Sequence, residues 1–121
     1  MSQIGSINLM VRDIAAVEQF YTDVLGLVVD QDRTNRPSFV LLRAGSTLLT
    51  LQDANSMGQL PEAGNAIEIG FEVNDVESVR RKLGDRAIVQ SMGWGNAIET
   101  ADPNGTRLNI YQWEKPADRR D

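Results

Sequence analysis

The 121 residues predict an α+β fold of two paired βαβββ modules that form a cupped mixed sheet. Three observations predict it. An alternating strand that runs straight into a capped amphipathic helix occurs twice. The two occurrences keep one offset: Ile7 with Ile69, Val11 with Val73, Asp13 with Asp75 and Val17 with Val79 all lie 62 positions apart (69 − 7). A second overlay sets "TLLTL", 47–51, on "TRLNI", 106–110, at 59 positions (106 − 47), a three-residue difference that loop lengths absorb. Repetition of a whole unit fixes architecture more firmly than any single motif.

The first module spans 4–52. In "SINLMVRD", Ile7, Leu9 and Val11 share one face, and Ser6, Asn8 and Met10 share the other. Asp13 is placed to cap a helix whose stripe is Ile14, Val17, Phe20, Tyr21 and Val24, and Gly26 closes it at C′. Strands follow at 27–31, 39–43 and 47–51, with "DRTNRP" and "AGS" as turns. The polar, Gly- and Pro-containing segment 53–65 is a connector, within which Met57 offers either an adaptable apolar lid or an ordinary surface methionine.

The second module spans 66–113. "EIGFEVND" repeats the opening strand through Ile69, Phe71 and Val73. Asp75 caps a helix with Val76, Val79 and Leu83 as its stripe, and Gly84 ends it. Strands are expected at 87–90, 97–101 and 107–113, the last entered through the turn "DPNG". Residues 114–121 form a tail. The apolar face of each opening strand must pack under its helix, so the polar faces are left to line a cleft between the modules.

Composition narrows the functions. A net charge of −5 argues against a nucleic-acid partner, and no apolar run approaches the length of a membrane span. No leader pattern is visible at "MSQIGSINLMVRD", so a cytoplasmic location is expected. The chain has no Cys, which removes disulfides, thiolate metal sites and thiol nucleophiles. It has no His, which removes the commonest metal ligand and the commonest general base at neutral pH.

"INLMVRDIAAVEQFYTDVLGLVV", "IEIGFEVNDVESVRRKL", "GWGNAIETADPNG" and "TRLNIYQ" together resemble the vicinal oxygen chelate superfamily of glyoxalase I, extradiol dioxygenases, fosfomycin resistance enzymes and bleomycin resistance proteins. The resemblance implies paired βαβββ modules of the glyoxalase/bleomycin-resistance type and assembly as a homodimer. In metal-dependent members, two opening-strand and two closing-strand positions supply His and Glu ligands. The matching positions here are Ser6, Thr50, Glu68 and Asn109. One carboxylate with three neutral oxygens is a poor cage for a transition ion, so no metal and no cofactor is expected.

Alternation gives the cleft-facing set: Ser6, Asn8, Met10, Thr50, Gln52, Glu68, Glu72, Arg107, Asn109 and Tyr111, with Trp94 on a glycine-flanked loop as a stacking platform. The alternative is that these side chains face water and that Trp94 and Trp113 plug a sheet end. Glu68 and Glu72 lie four apart on one strand, about 13 Å along it, too far to share a proton. Arg107 offers Glu68 an ion pair instead. The function expected is metal-free binding of a small aromatic or cationic compound, as in bleomycin resistance proteins and so in antibiotic resistance. No catalytic residue is assigned. The alternative is a metal-dependent or acid–base lyase, isomerase or dioxygenase, and a third option is a module with a vestigial cleft.

Overall fold

The computed structural model describes Ile4, residues 6–57 and residues 67–114. The chain divides between residues 63 and 64 into two compact units, each considered by itself. Most of the expected connector and tail, and the side chain of Met57, lie outside the described residues.

The first unit runs β1 (Ser6–Val11), α1 (Ile14–Asp23), β2 (Val28–Val29), β3 (Phe39–Ala44), β4 (Thr47–Asp53) and a 3₁₀ turn, Ala54–Met57. The second runs β5 (Glu68–Glu72), α2 (Val76–Leu83), β6 (Gln90–Met92), β7 (Gly95–Ala101) and β8 (Arg107–Trp113). The sheet orders are β1-β4-β3-β2 and β5-β8-β7-β6. In both, the opening strand pairs in parallel with the closing strand, and the remaining pairs are antiparallel. Each unit is therefore a βαβββ module, and the register repeats as well. Ser6 faces Leu48 as Glu68 faces Arg107, and Asn8 faces Thr50 as Gly70 faces Asn109.

Both helices start where their aspartates stand. The Asp13 carboxylate accepts from the Ala16 N–H at 3.1 Å, and Asp75 accepts from Ser78 at 3.2 Å. Such caps are worth about 1 kcal/mol each. Val17 and Tyr21 of α1 pack on Val11, Val40, Leu42, Leu49 and Leu51, all nearly or fully buried. Val76 and Val79 of α2 join Ile69, Ile98, Leu108 and Ile110 in the second core. Gln112 interrupts the helix-facing row of β8 for a reason: its Oε1 accepts from the Val76 N–H at 2.9 Å, satisfying a first-turn donor of α2.

β4 and β7 each run two residues longer than the sequence reading, and two strands differ from it more. β2 covers only Val28–Val29 because the Leu27 N–H turns back to the Tyr21 carbonyl (3.0 Å) and the Asp30 side chain draws the chain into a turn by accepting from Arg33. β6 begins at Gln90 rather than Ala87. The Ala87 N–H is used by the Gly84 carbonyl (3.2 Å), and the tight Gly93–Trp94 turn limits pairing to Gln90–Met92 against Gly95–Ala97. The "DPNG" turn is built on buried Asp102. Its Oδ1 accepts from Asn104 (2.8 Å) and Thr106 (3.0 Å), while its carbonyl accepts from Gly105. No helix among the described residues is long and apolar enough to cross a membrane.

Candidate functional site

Each sheet buries one face under its helix and turns the other away, and the sequence-predicted residues sort onto the second face. In the first module that open face carries Ser6, Asn8 and Met10 on β1 beside Leu48, Thr50 and Gln52 on β4. β3 adds Phe39, Leu41 and Arg43. Thr50, only 5% exposed, donates its hydroxyl to Asn8 Oδ1 at 2.6 Å and accepts from Gln52 Nε2 at 3.3 Å. The three side chains form a chain that uses its own hydrogen-bonding capacity. Ser6 stays exposed at the strand start, one step along from this chain.

The second open face is built differently. Glu68 and Glu72 are exposed on β5, with Gly70 between them. Arg107 lies directly across from Glu68, and its Nη2 stands 3.7 Å from Glu68 Oε2. Asn109 follows two residues on, opposite Gly70, and its Oδ1 is buried with no hydrogen-bond partner among the described residues. A side chain at Gly70 would place its Cβ 3.4 Å from Tyr111 Cε1, so the tyrosine ring leans over the glycine.

Beyond Asn109 the face becomes aromatic. Tyr111 and Trp113 meet Trp94 in a three-ring cluster, with centroids 5.8 Å (Trp94–Tyr111), 5.2 Å (Trp94–Trp113) and 5.8 Å (Tyr111–Trp113) apart. All three contacts are edge-to-face, the geometry favoured by ring quadrupoles. At these separations the rings fill the space between one another, and what remains open is the outer surface of Trp94, which is 39% exposed. The cluster is fixed by backbone. The Glu114 N–H donates to the Trp94 carbonyl at 3.0 Å, and a Cβ on Gly95 would fall 2.2 Å from the Gln112 carbonyl oxygen, so only glycine fits there. Trp94 thus packs partly into the cluster and keeps part of its ring surface exposed. Trp113, for which a plug at the sheet end is the alternative, stands on the open face with Arg107, Asn109 and Tyr111, where its odd position along β8 puts it.

The four positions matching metal ligands do not fit a transition ion. The Thr50 hydroxyl is committed to Asn8 and Gln52, Glu68 carries a guanidinium beside it, and Ser6 and Asn109 bring no charge. Among the described residues no three His, Cys, Asp or Glu side chains gather into a cation site.

A cavity of about 320 Å³ lies elsewhere, at the start of α1 between Arg12, Asp13, Arg36, Pro37, Asp53 and Asn55. It contains none of the expected residues. Its Arg36 guanidinium is gripped by both oxygens of Glu18, at 2.6 and 2.8 Å. That grip holds the Glu18 carboxyl below its ordinary range. Burial alone would raise the carboxyl of Asp30, but hydrogen bonds and charge from Arg43 and Arg33 outweigh it and leave it lowered.

The profile of the Glyoxalase/Bleomycin resistance protein/Dioxygenase superfamily matches residues 3–110. Among solved structures, the fold is similar to a glyoxalase-related enzyme from Fulvimarina pelagi (TM-score 0.73, 15% identity, covering 96% of this chain and 90% of that one). It is similar to a lactoylglutathione lyase from Agrobacterium tumefaciens (TM-score 0.69, 20% identity, 93% and 94% covered). It also resembles TnmS3, an antibiotic binding protein from Streptomyces sp. CB03234 (TM-score 0.69, 19% identity, 94% and 98% covered). At these identities the likeness is one of fold. No curated protein matches the chain.

Proposed function

The chain belongs to the glyoxalase/bleomycin resistance/dioxygenase superfamily, and from that membership we propose that it is a metal-free binding protein of the bleomycin-resistance type, which sequesters a small aromatic or cationic compound without transforming it. The observation that carries the reading is the Trp94–Tyr111–Trp113 cluster on the open face of the second sheet, with Trp94 presenting its outer ring surface. A ring face of this kind takes either a stacked aromatic or a cation.

The donor set supports the metal-free half of the proposal. A carboxylate neighboured by Arg107 and a threonine already bonded to Asn8 leave little for a divalent ion to bind. Acid–base catalysis through Glu68 meets the same guanidinium. A likeness in fold to a lactoylglutathione lyase and to an antibiotic binding protein is compatible with both enzyme and binder, so the proposal rests on the residues. The setting we propose is a homodimer in the cytoplasm, with antibiotic sequestration as the role.

Tryptophan fluorescence tests the reading. Titration with a broad panel of aromatic and cationic drugs is expected to give a saturable change for at least one class, lost in Trp94→Ala. A flat response across the panel refutes it, as does turnover of a glutathione thiol-adduct or a catechol by the purified protein.

A further inference from the structure

We infer that Asn109 is the polar anchor of this aromatic site: its carboxamide oxygen takes the hydrogen of an N–H or O–H group on the edge of a flat aromatic ligand, and so selects such compounds over analogues lacking the donor. The inference rests on the binding reading above and narrows its ligand class to aromatic compounds with a ring-edge donor.

The argument starts from an imbalance. A buried acceptor without a partner costs free energy that an apolar residue of the same shape would not. Asn109 Oδ1 is such an acceptor. The duplication shows what is missing. Thr50 holds the equivalent position in the first module, where Asn8 and Gln52 satisfy it. Their counterparts around Asn109 are Gly70, which has no side chain, and Tyr111, whose ring is engaged with Trp94 and Trp113. The partner that the first sheet builds in, the second leaves to be supplied from outside.

Space and spacing agree. Gly70 is exposed and puts no side chain beside Asn109, and Tyr111 Cε1 is the nearest side-chain atom above it. The rotation of an asparagine carboxamide about its last bond is broad and soft, so with its oxygen unbonded it can turn toward the glycine at little cost. Side chains two apart on a strand are about 7 Å apart. That is roughly the length of a bicyclic ring, so a ligand can touch the tyrosine cluster at one end and meet Asn109 with a donor at the other.

Matched probes differing only in the donor test this: indole against 1-methylindole, and phenol against anisole, titrated into the full chain and followed by ¹H–¹⁵N NMR shifts. In the wild-type protein the donor member of each pair is expected to bind roughly tenfold more tightly, the value of one well-placed hydrogen bond. Asn109→Leu is expected to abolish that preference, so that the two members of each pair bind alike, with Asn109→Ala as the check should the leucine variant fail to fold. Gly70→Ala, which adds a methyl at an ordinary contact distance, is expected to weaken indole binding in a folded protein. Equal affinities within each wild-type pair overturn the inference and leave the binding reading intact, as does a preference that persists in both Asn109 variants. No saturable shift with any of the four probes overturns the inference, and the binding reading falls with it if the wider panel of aromatic and cationic compounds is flat as well.

Discussion

At the middle of the first sheet's open face, a threonine is held from both sides by an asparagine and a glutamine. At the matching place in the second sheet, an asparagine stands beside a glycine and a tyrosine, and its oxygen is bonded to nothing described. The backbones around the two positions pair in the same register, so the contrast is one of side chains alone. A duplicated framework can therefore divide its labour: one copy spends its polar groups on its own hydrogen bonds, and the other, in the reading proposed above, keeps them for a ligand. The helix-facing sides show no such division, since both are built on buried apolar rows, with Gln112 as the exception already described.

The largest test breaks or keeps the equivalence of the two cores. Leu51 and Ile110 are repeat partners and both are fully buried. Truncating either to alanine is expected to cost about 3 kcal/mol in urea unfolding. A loss at one site twice that at the other would show that the repeated register does not mean repeated packing.

The next test sharpens the contrast between the open faces by looking for opposite signs. Thr50→Val strips partners from Asn8 and Gln52 and is expected to destabilise by about 1–2 kcal/mol. Asn109→Leu removes an acceptor that has no partner and is expected to stabilise by about 1 kcal/mol. Thermal unfolding measures both. Destabilisation by Asn109→Leu would mean that its carboxamide is already satisfied.

The smallest test concerns acid. Glu18, in the first module, has its carboxyl lowered by the Arg36 hydrogen bonds from an ordinary 4.5. A carboxyl depressed by folding stabilises the protein above its unfolded value, and that contribution is lost as pH falls through the folded one. Glu18→Gln is therefore expected to lose about 0.5 kcal/mol at pH 7, as befits a half-exposed pair. Its stability should converge with that of the wild type in strong acid.

Much of the fold is legible in the sequence because it rests on patterns that survive duplication: two aspartate caps, two valine stripes and a constant offset. The short strands β2 and β6 are less so. Their limits depend on which backbone N–H groups the neighbouring turns capture, as Tyr21 captures Leu27 and Gly84 captures Ala87. On the site, period two places Asn8, Thr50, Asn109 and Tyr111 on the open faces. It does not say which polar group meets which, because hydrogen bonds such as Thr50 to Asn8 join strands 42 residues apart. Nor does it tell a bound polar group from a bare one, and that difference separates Thr50 from Asn109. Gln112 is the reverse case: by position it belongs with the apolar row, and only the Val76 N–H above it explains a polar residue there.

The order of strands has a further consequence for how the protein is made. Among the described residues, β1 and β5 are sheet edges that pair with β4 and β8, the last strands of their modules to leave the ribosome. During translation an opening strand must wait through its whole module before it finds a companion, and each sheet is completed from its middle by its final segment. Closing so long a span before any reward arrives slows assembly. A chain ending just before residue 47 is thus expected to have no finished sheet, and one ending just before residue 107 a finished first sheet but an unfinished second, and these are the forms most in need of a chaperone.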